Sequence, residues 1–437
     1  MASRFPSARL LQKNHLFRDF LAASTISLLG TSIFDIAMPL YVLQRTHSAI
    51  ALSLVTVGLT LPFSLMAPLT GYLADHFDKR RVMLGSDIGQ VLFLCLLLGL
   101  EFSGMSALWP ILVIIFCAKT LMILFETVTT FQLVPALVDK EDLSDANACF
   151  LSSYRLIQIV GPLAGGILMG TLGVRVCILI NVLSFGATLY FVYKMKNLSE
   201  IIDGAEKKPF FSPLLINPRE VFRNFSASLK YVWQSKLFRP FVLLMFLWNM
   251  TSLAPTTPSM TYYFTELHLF TSSQYGLVIS VFGLIGILGY LGAGSIYRHY
   301  QLKTIFIFSA VWQATLASLA ALFVSFPTTF IVLFAFSRFG ASLLSMGTFL
   351  LRQTEIPKNI TGGVNSCLRM FFMSAAPLSA FLQGILVHHF GVIPSFVLGS
   401  VCLWGTFFFS RNVAVAYQGR RIIRKIDPEV ETQAEAA

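Results

Sequence analysis

Apolar runs of about 18 or more residues recur along the whole chain, and they restrict its fold more than any other feature. A run of this length can cross roughly 30 Å of hydrocarbon as an α-helix. A membrane β-barrel would instead show alternating segments of about 10 residues, whereas these runs are continuous. Only 12% of the 437 residues are charged, about half the usual share for a soluble domain. The sequence therefore predicts an all-α membrane protein.

The apolar runs predict twelve transmembrane spans. Their expected bounds are 19–43, 49–73, 83–101, 109–134, 147–171, 175–194, 239–262, 273–296, 303–325, 328–351, 363–388 and 393–414. A polar segment separates six spans from six. We therefore expect an N-terminal six-helix half at 1–194, a cytoplasmic linker at 195–238, a C-terminal six-helix half at 239–414 and a cytoplasmic tail at 415–437. Apolar spacing over 218–234 predicts an amphipathic helix in the linker, with chance periodicity as the alternative.

The positions of Lys and Arg predict the topology. With the N-terminus inside, most of the 32 basic residues fall in inside segments, and the outside loops hold only Arg45 and Arg175. Because basic loops stay in the cytoplasm, we expect both termini there, in a bacterial inner membrane. The net charge of +11 then belongs to these loops, and we expect the lipid bilayer, not nucleic acid, as a partner.

The two halves look like repeats of one another. Similar Gly-Val turns, at Gly173 and Gly391, follow the fifth span of each half. Lys119 and Arg338 each lie inside the fourth span of their half. Parallel halves of six spans fit a transporter whose binding site lies between the halves.

A motif after span two resembles a known signature. It contains a glycine, an aspartate four residues later and a basic cluster: Gly71, Asp75, Lys79, Arg80 and Arg81. This resembles the loop 2–3 signature of the major facilitator superfamily, although that family often has a basic residue where this chain has His76 and a glycine where it has Asp78. The resemblance implies a fold of twelve helices in two six-helix pseudo-repeats.

The motif residues are expected to form a cytoplasmic gate. Gly71 allows close helix packing, and Asp75 can bind the amide end of span eleven near Gly362. The basic cluster is expected to meet an acidic loop, which contains Asp139, Glu141, Asp142 and Asp145. The alternative is a basic stop-transfer loop with an incidental aspartate.

Two further resemblances indicate which branch of the superfamily the chain is similar to. Gly161 and Pro162 in span five resemble the Gly-Pro signature of antiporters, which implies a packing or gating role; ordinary transmembrane use of glycine and proline is the alternative. Asp35 with Pro39 in span one, Pro135 after span four and Arg155 in span five together resemble the macrolide-exporter and enterobactin-exporter branch. Arg155 is expected to be a packing or gating partner.

Several charged side chains lie inside predicted spans, where charge is costly and rarely without function. Asp35, Lys119 and Arg338 lie at a similar depth in spans one, four and ten, and the resemblance implies that these spans line a central cavity. Glu126 lies two turns from Lys119 on the same helix face. Asp87 and Arg369 lie nearer the span ends, and we expect both to reach the membrane interface.

Asp35 and Glu126 are the expected proton-coupling carboxylates. Nearby Lys119 and Arg338 favour ionised carboxylates, and loss of these partners or of water favours the protonated form. A role in substrate binding, or a fixed ion pair between spans one and four, remains open.

Span seven adds aromatic and hydrogen-bonding groups, in particular Trp248 and Asn249, to the expected cavity. Such walls, with Lys119 and Arg338, suit a small amphipathic organic molecule of the siderophore or drug class. We therefore expect proton-driven export by alternating access; a nutrient or lipid importer, or a flippase, on the same fold is the alternative.

Other classes are disfavoured. The sequence lacks the G-x-x-x-x-G-K-[ST] motif of ATP-driven pumps, and its seven His and six Cys show no metal-ligand spacing. We expect no enzyme activity, no cofactor, no metal and a monomeric state.

Overall fold

The structure, a computed structural model, describes most of the chain. The described residues are 6–66, 69–70, 73, 77–104, 107–129, 133–139, 142–195, 218–252, 257–356 and 361–416. The predicted linker 195–238 and the predicted tail 415–437 are therefore described only in part.

In the described part of the chain, a helix overlaps each of the expected spans. We number these helices α1 His15–Thr46, α2 Ala49–Leu65, α3 Lys79–Phe102, α4 Leu108–Val128, α5 Leu143–Thr171, α6 Val174–Lys194, α7 Phe238–Ser252, α8 Ser272–His299, α9 Leu302–Leu322, α10 Pro327–Glu355, α11 Thr361–Phe390 and α12 Val392–Ala416. Shorter helices cover Pro6–Lys13, Val134–Leu137 and Pro258–Tyr262, and a π-helical turn covers Tyr263–Leu267. A helix over Pro218–Gln234 occupies the range at which the apolar spacing predicts one.

These helices have the length and surface of membrane spans. Within the described residues, nine helices are long and apolar enough to cross a bilayer, and Ala49–Leu65 is a shorter apolar helix. Large apolar side chains lie on the outside, among them Leu92, Leu183, Leu291 and Phe408 at 65%, 66%, 74% and 59% exposure. Such a surface is suited to lipid and not to water. The prediction of an all-α membrane protein is confirmed.

The two Gly-Val turns have matching geometry. Gly173 caps the start of α6 and Gly391 precedes α12, and both have φ of 79°. This left-handed region is open to glycine at little cost. Corresponding glycines thus make the same sharp turn in the two halves of the sequence.

The chain forms two compact units. The first contains residues 1–47, 54–221 and 270–280. In it, α1 packs against α5 and α6, and α3 packs against α4 and α6. One core of this unit contains the fully buried aromatic side chains of Phe17, Phe20 and Phe77.

The second unit contains residues 48–53, 222–269 and 281–437. In it, α7 packs against α11 and α12, and α9 packs against α10 and α12. Its main core joins Val232 of the linker helix to Phe238 and Phe241 of α7. The start of α2 belongs to this unit. It packs closely on α11, since a Cβ on Gly384 would lie 3.2 Å from the carbonyl oxygen of Ala49.

Candidate functional site

An ion pair joins α1 to α4 in the first unit. Nζ of Lys119 lies 2.6 Å from Oδ1 of Asp35. The Lys119 side chain is 6% exposed and that of Asp35 is 40% exposed. The structure thus brings together two residues that the sequence places at one depth, with the ammonium enclosed and the carboxylate accessible from one side.

A second carboxylate lies in the same region. Glu126 is two turns further along α4 and is half-buried. Tyr154 of α5 interacts electrostatically with both Glu126 and Asp35. Helices α1, α4 and α5 therefore present two carboxylates, an ammonium and a phenol to one another within a membrane-spanning bundle.

Arg155 lies beside this region on α5. Its Nη1 donates a hydrogen bond to Oε1 of Gln158 at 2.9 Å. Gln158 also interacts with Tyr154, whose phenol lies within electrostatic range of Arg155. Arg155 is thus linked to Tyr154 through Gln158.

Glycines on α5 explain how α1 comes so close. A Cβ on Gly161 would collide with the side chain of Ser32, and a Cβ on Gly165 would lie 3.1 Å from the carbonyl oxygen of Ile33. Larger residues at either position would push α1 away from α5. Pro162 lies inside α5 between these two contacts.

The same helix also packs tightly against the first turns of α8, which belong to the first unit. A Cβ on Gly166 would lie 2.9 Å from Cα of Gly276, and Oγ of Ser280 donates to the carbonyl oxygen of Ile159 at 2.7 Å. Gly161, Gly165 and Gly166 therefore pack α5 against α1 and α8, where the sequence resembles the antiporter signature.

In the second unit, Arg338 of α10 lines a pocket with a volume of about 60 Å³. The lining is mixed: Gln313, Ser379 and Gln383 supply polar groups, and Phe330 supplies an aromatic wall. A space of this size holds a few water molecules. Arg338 thus faces a small space of mixed polar and apolar lining inside its own unit.

Trp248 and Asn249 of α7 have different surroundings. The indole Nε1 of Trp248 donates to Oε1 of Gln313, a residue of the Arg338 pocket, at 2.9 Å. Asn249 is 3% exposed, and its Nδ2 has no hydrogen-bond partner within the described part of the chain. The span predicted as 239–262 is described as two helices, of which the second begins at Pro258.

The sequence profile of the Major Facilitator Superfamily matches residues 20–269, more than half of the chain. The chain belongs to this superfamily. Its members transport small molecules across membranes, so the protein is a transporter and not an enzyme. The superfamily is the one that the residues after span two resemble.

Relatives of this major facilitator protein are named as exporters. The multidrug efflux pump Tap of Mycolicibacterium fortuitum is 24% identical over 84% of this chain and 88% of that protein. The enterobactin exporter EntS of Salmonella typhi is 25% identical over 82% of each chain. Macrolide efflux protein A of Streptococcus pyogenes is 26% identical, but the match spans 37% of this chain and only 40% of that protein. These relatives confirm the predicted resemblance to the exporter branch.

Solved structures share the fold at low identity. A bacterial homologue of the iron transporter ferroportin, in an inward-facing state, has a TM-score of 0.74 at 16% identity and covers 92% of this chain and 98% of its own. A POT family transporter in complex with 5-aminolevulinic acid has a TM-score of 0.70 at 15% identity, covering 90% of this chain and 95% of its own. These similarities confirm the major facilitator fold.

The superfamily motif after α2 is described in part, since Gly71 and Asp75 lie outside the described residues. Oδ1 of Asp78 accepts a hydrogen bond from the backbone N–H of Arg81 at 2.9 Å and so caps the start of α3. Arg80 donates to the carbonyl oxygens of Val192 and Tyr193 at the end of α6. Lys79 is 1% exposed. Within the described contacts, Arg80 links the start of α3 to the end of α6.

The acidic loop of this transporter has a partner that sequence reasoning did not assign. Nζ of Lys13 lies 3.0 Å from Asp142 and 3.5 Å from Asp139. Nδ2 of Asn14 donates to the carbonyl oxygen of Leu137 at 2.7 Å. The N-terminal helix Pro6–Lys13 is therefore docked on the connection between α4 and α5. Contacts of the loop with Lys79, Arg80 and Arg81 stay a prediction.

A charged cluster at the other end of the first unit was also missed. Glu101 of α3 forms ion pairs with Arg45 of α1 at 3.4 Å and Arg175 of α6 at 3.7 Å. It also accepts a hydrogen bond from Tyr41. Arg45 and Arg175 are the two basic residues of the predicted outside loops. Because basic residues are rare in those loops, their presence there indicates a specific partner.

Proposed function

We propose that this transporter exports a small amphipathic organic molecule, of the siderophore or drug class, by proton-driven alternating access across the bacterial inner membrane. The observation that carries the proposal is the ion pair of Asp35 and Lys119, held at 2.6 Å inside a membrane-spanning bundle. The export direction is supported by the names of its relatives, the efflux pump Tap and the exporter EntS.

Asp35 is the proposed primary proton site. In the described conformation the ammonium of Lys119 stabilises the Asp35 carboxylate. When α1 and α4 move apart, Asp35 loses its cation and binds a proton, because an unpaired carboxylate is costly in an apolar medium. Return of Lys119 then expels the proton. The partial exposure of Asp35 supplies the route by which water can reach it.

Glu126 is the proposed second carboxylate of this region. It lies two turns from Lys119 and interacts with Tyr154. Tyr154 interacts with both acids, so it can relay a change at one carboxylate to the other. Gln158, one turn further along α5, holds Tyr154 in place and is itself bound by Arg155.

Four residues of the described chain are proposed to bind the substrate. Lys119 and Arg338 supply positive charge, which suits a carboxylate or a catecholate. Trp248 and Asn249 supply an aromatic surface and a buried amide, which suit the apolar body of the molecule and its hydrogen-bonding groups.

The cytoplasmic gate is proposed to consist of the motif residues after α2: Gly71, Asp75, Lys79, Arg80 and Arg81. Gly161 and Pro162 are proposed to have a packing or gating role in α5. Both termini are proposed to face the cytoplasm, with the protein acting as a monomer.

One proton moving inward across about 100 mV yields roughly 2.3 kcal/mol, enough for a modest outward concentration ratio.

The test is accumulation of a labelled macrolide and of enterobactin in cells that lack their own exporters. Expression of the protein should lower accumulation of at least one of these probes, and collapse of the proton gradient should restore it. Asp35→Asn and Glu126→Gln should reduce export. Asp19→Asn is the matched control, because Asp19 lies on the same helix as Asp35 but forms an exposed pair with Arg18. Full gradient-dependent export in both variants would refute the coupling role.

A further inference from the structure

Asp87 is more deeply buried than the sequence predicts. Its place near the start of α3 predicts that it reaches the membrane interface, but it is 1% exposed. Its position on the α3 face that packs against α6 explains the difference. Depth along a helix shows how far a side chain is from water, but not which way it points.

The Asp87 carboxyl lies in a small polar cluster between α3 and α6. Oγ1 of Thr188 donates to Oδ2 of Asp87 at 2.6 Å, and Nε2 of Gln90 lies 3.4 Å from Oδ1. Ser86 lies one residue before Asp87 on α3. All four residues are at most 3% exposed. The carboxyl therefore meets two neutral donors, one of them at a long distance.

No cation balances this carboxyl within the described part of the chain. Asp87 lies on α3, which packs against α4 and α6. The titratable groups of these three helices are Lys79, Arg80, Arg81, Cys95, Glu101, Cys117, Lys119, Glu126, Arg175, Cys177, Tyr190, Tyr193 and Lys194. None of their described contacts is an ion pair with Asp87, and Lys119 is bound to Asp35.

Water is also kept away from Asp87, whose side chain is 1% exposed where α3 packs against α6. On the nearly opposite face of α3, a Cβ on Gly89 would lie 2.5 Å from Cδ1 of Leu121, so α4 covers that face closely. An ionised carboxylate without a cation in such a dry site is expensive, and a protonated carboxyl is not.

We propose that Asp87 is a further proton-binding site, separate from Asp35 and Glu126, which holds its proton at neutral pH in this conformation and releases it during the transport cycle. On release the O–H bond of the carboxyl breaks, its electron pair stays on the carboxylate, and the proton passes to water that enters as α3 and α6 separate. The role in transport rests on the proposed proton-driven function; the protonation itself does not.

Infrared spectroscopy of the purified full-length protein tests the protonation directly. At neutral pH the wild type should show a carbonyl band of a buried carboxylic acid, and Asp87→Asn should lack it. Thr188→Val, which removes one hydrogen bond, should shift this band and so assigns it even if Asp87→Asn does not fold. An unchanged band in both variants, or its absence from the wild type, would show that Asp87 is ionised and overturn the proposal.

Proteoliposomes test the release, with a labelled macrolide and enterobactin as probes. Asp87→Asn should lose transport driven by a pH gradient but keep exchange of labelled for unlabelled probe, because exchange needs no net proton movement. If the wild type responds to the gradient and Asp87→Asn responds equally, the role of Asp87 in the cycle is wrong and the proposed function stands. If the wild type itself ignores the gradient for both probes, the proton-driven function is wrong, and the infrared result still decides whether Asp87 is protonated.

Discussion

Asp35 and Lys119 form one pair but differ in burial, and this difference sets what each contributes to stability. The Lys119 side chain is 6% exposed, against 40% for Asp35. Removing one partner of a buried pair leaves an uncompensated charge, at a cost of about 3–5 kcal/mol. The cost should be larger when the charge left behind is the one that water cannot reach.

We therefore expect Asp35→Asn to destabilise the protein more than Lys119→Met. The first change isolates an enclosed ammonium, and the second isolates a carboxylate that water can solvate. The double variant should be more stable than Asp35→Asn alone, because it removes both charges. Thermal unfolding in detergent measures this order. Equal losses in the two single variants, or strict additivity in the double variant, would contradict the pairing.

For single residues, the sequence predicts how deep a side chain lies along a helix but not which neighbour it meets. Depth along the spans was enough to select Asp35 and Lys119 as a pair of interest. It misjudged Asp87, because the rotation of α3 about its axis decides whether that side chain meets lipid, water or α6. It also missed Glu101 as the partner of Arg45 and Arg175, since that cluster depends on how three helix ends meet.

The packing of α5 depends on glycine. A Cβ on Gly166 or Gly276 would meet backbone atoms of the other helix, whereas a Cβ on Gly99 or Gly186 would meet nothing within 4 Å. Backbone atoms cannot move aside as a flexible side chain can, so α5 and α8 would have to separate.

This contrast predicts effects of opposite sign for one kind of substitution. Gly166→Ala and Gly276→Ala should destabilise the protein. Gly99→Ala and Gly186→Ala should leave it unchanged or stabilise it by about 0.5–1 kcal/mol, since glycine inside a helix is unfavourable relative to alanine. Unfolding temperatures of the four variants measure the difference. Similar values for all four would mean that the close contact of α5 with α8 is absent.

The N-terminal helix Pro6–Lys13 is a second element with a testable attachment. Asn14 caps α1 by accepting from the backbone N–H of Phe17 at 2.9 Å, and it also donates to Leu137. Lys13 reaches Asp142 from an exposed position. Its hydrogen bond to Asp142 raises the pKa of Lys13 above the usual 10.5. The ammonium of Lys13 is therefore charged at neutral pH, and its contribution to the contact is lost as pH rises through the raised pKa.

We expect Asn14→Ala to cost about 1–2 kcal/mol, because it removes a helix cap and a bond to the α4–α5 connection. Lys13→Ala should cost about 1 kcal/mol or less, since exposed ion pairs contribute little. Protease cleavage near the N-terminus, compared between the two variants, reports how firmly this segment is docked. Faster cleavage in Lys13→Ala than in Asn14→Ala would contradict the larger contribution expected of Asn14.

At the scale of the whole molecule, hydropathy alone predicted the membrane class and the order of the helices. The expected spans overlap α1–α12 in the same order, and nine of the described helices are long and apolar enough to cross a membrane. The turns at Gly173 and Gly391 share a conformation that the sequence repeat anticipates. Hydropathy could not place the docked N-terminal helix, because Lys13 and Asn14 bind atoms more than one hundred residues away. Such contacts depend on tertiary structure, which helix periodicity does not contain.

The most direct test of the proposed mechanism is proton movement across proteoliposome membranes that contain the purified protein. A pH-sensitive dye inside the vesicles would follow the response to an added macrolide or to enterobactin. We expect the transported probe to move protons in the wild type and in Asp19→Asn, and to move none in Asp35→Asn. Proton movement in Asp35→Asn at the wild-type rate would contradict the claim that the Asp35–Lys119 pair couples transport to protons.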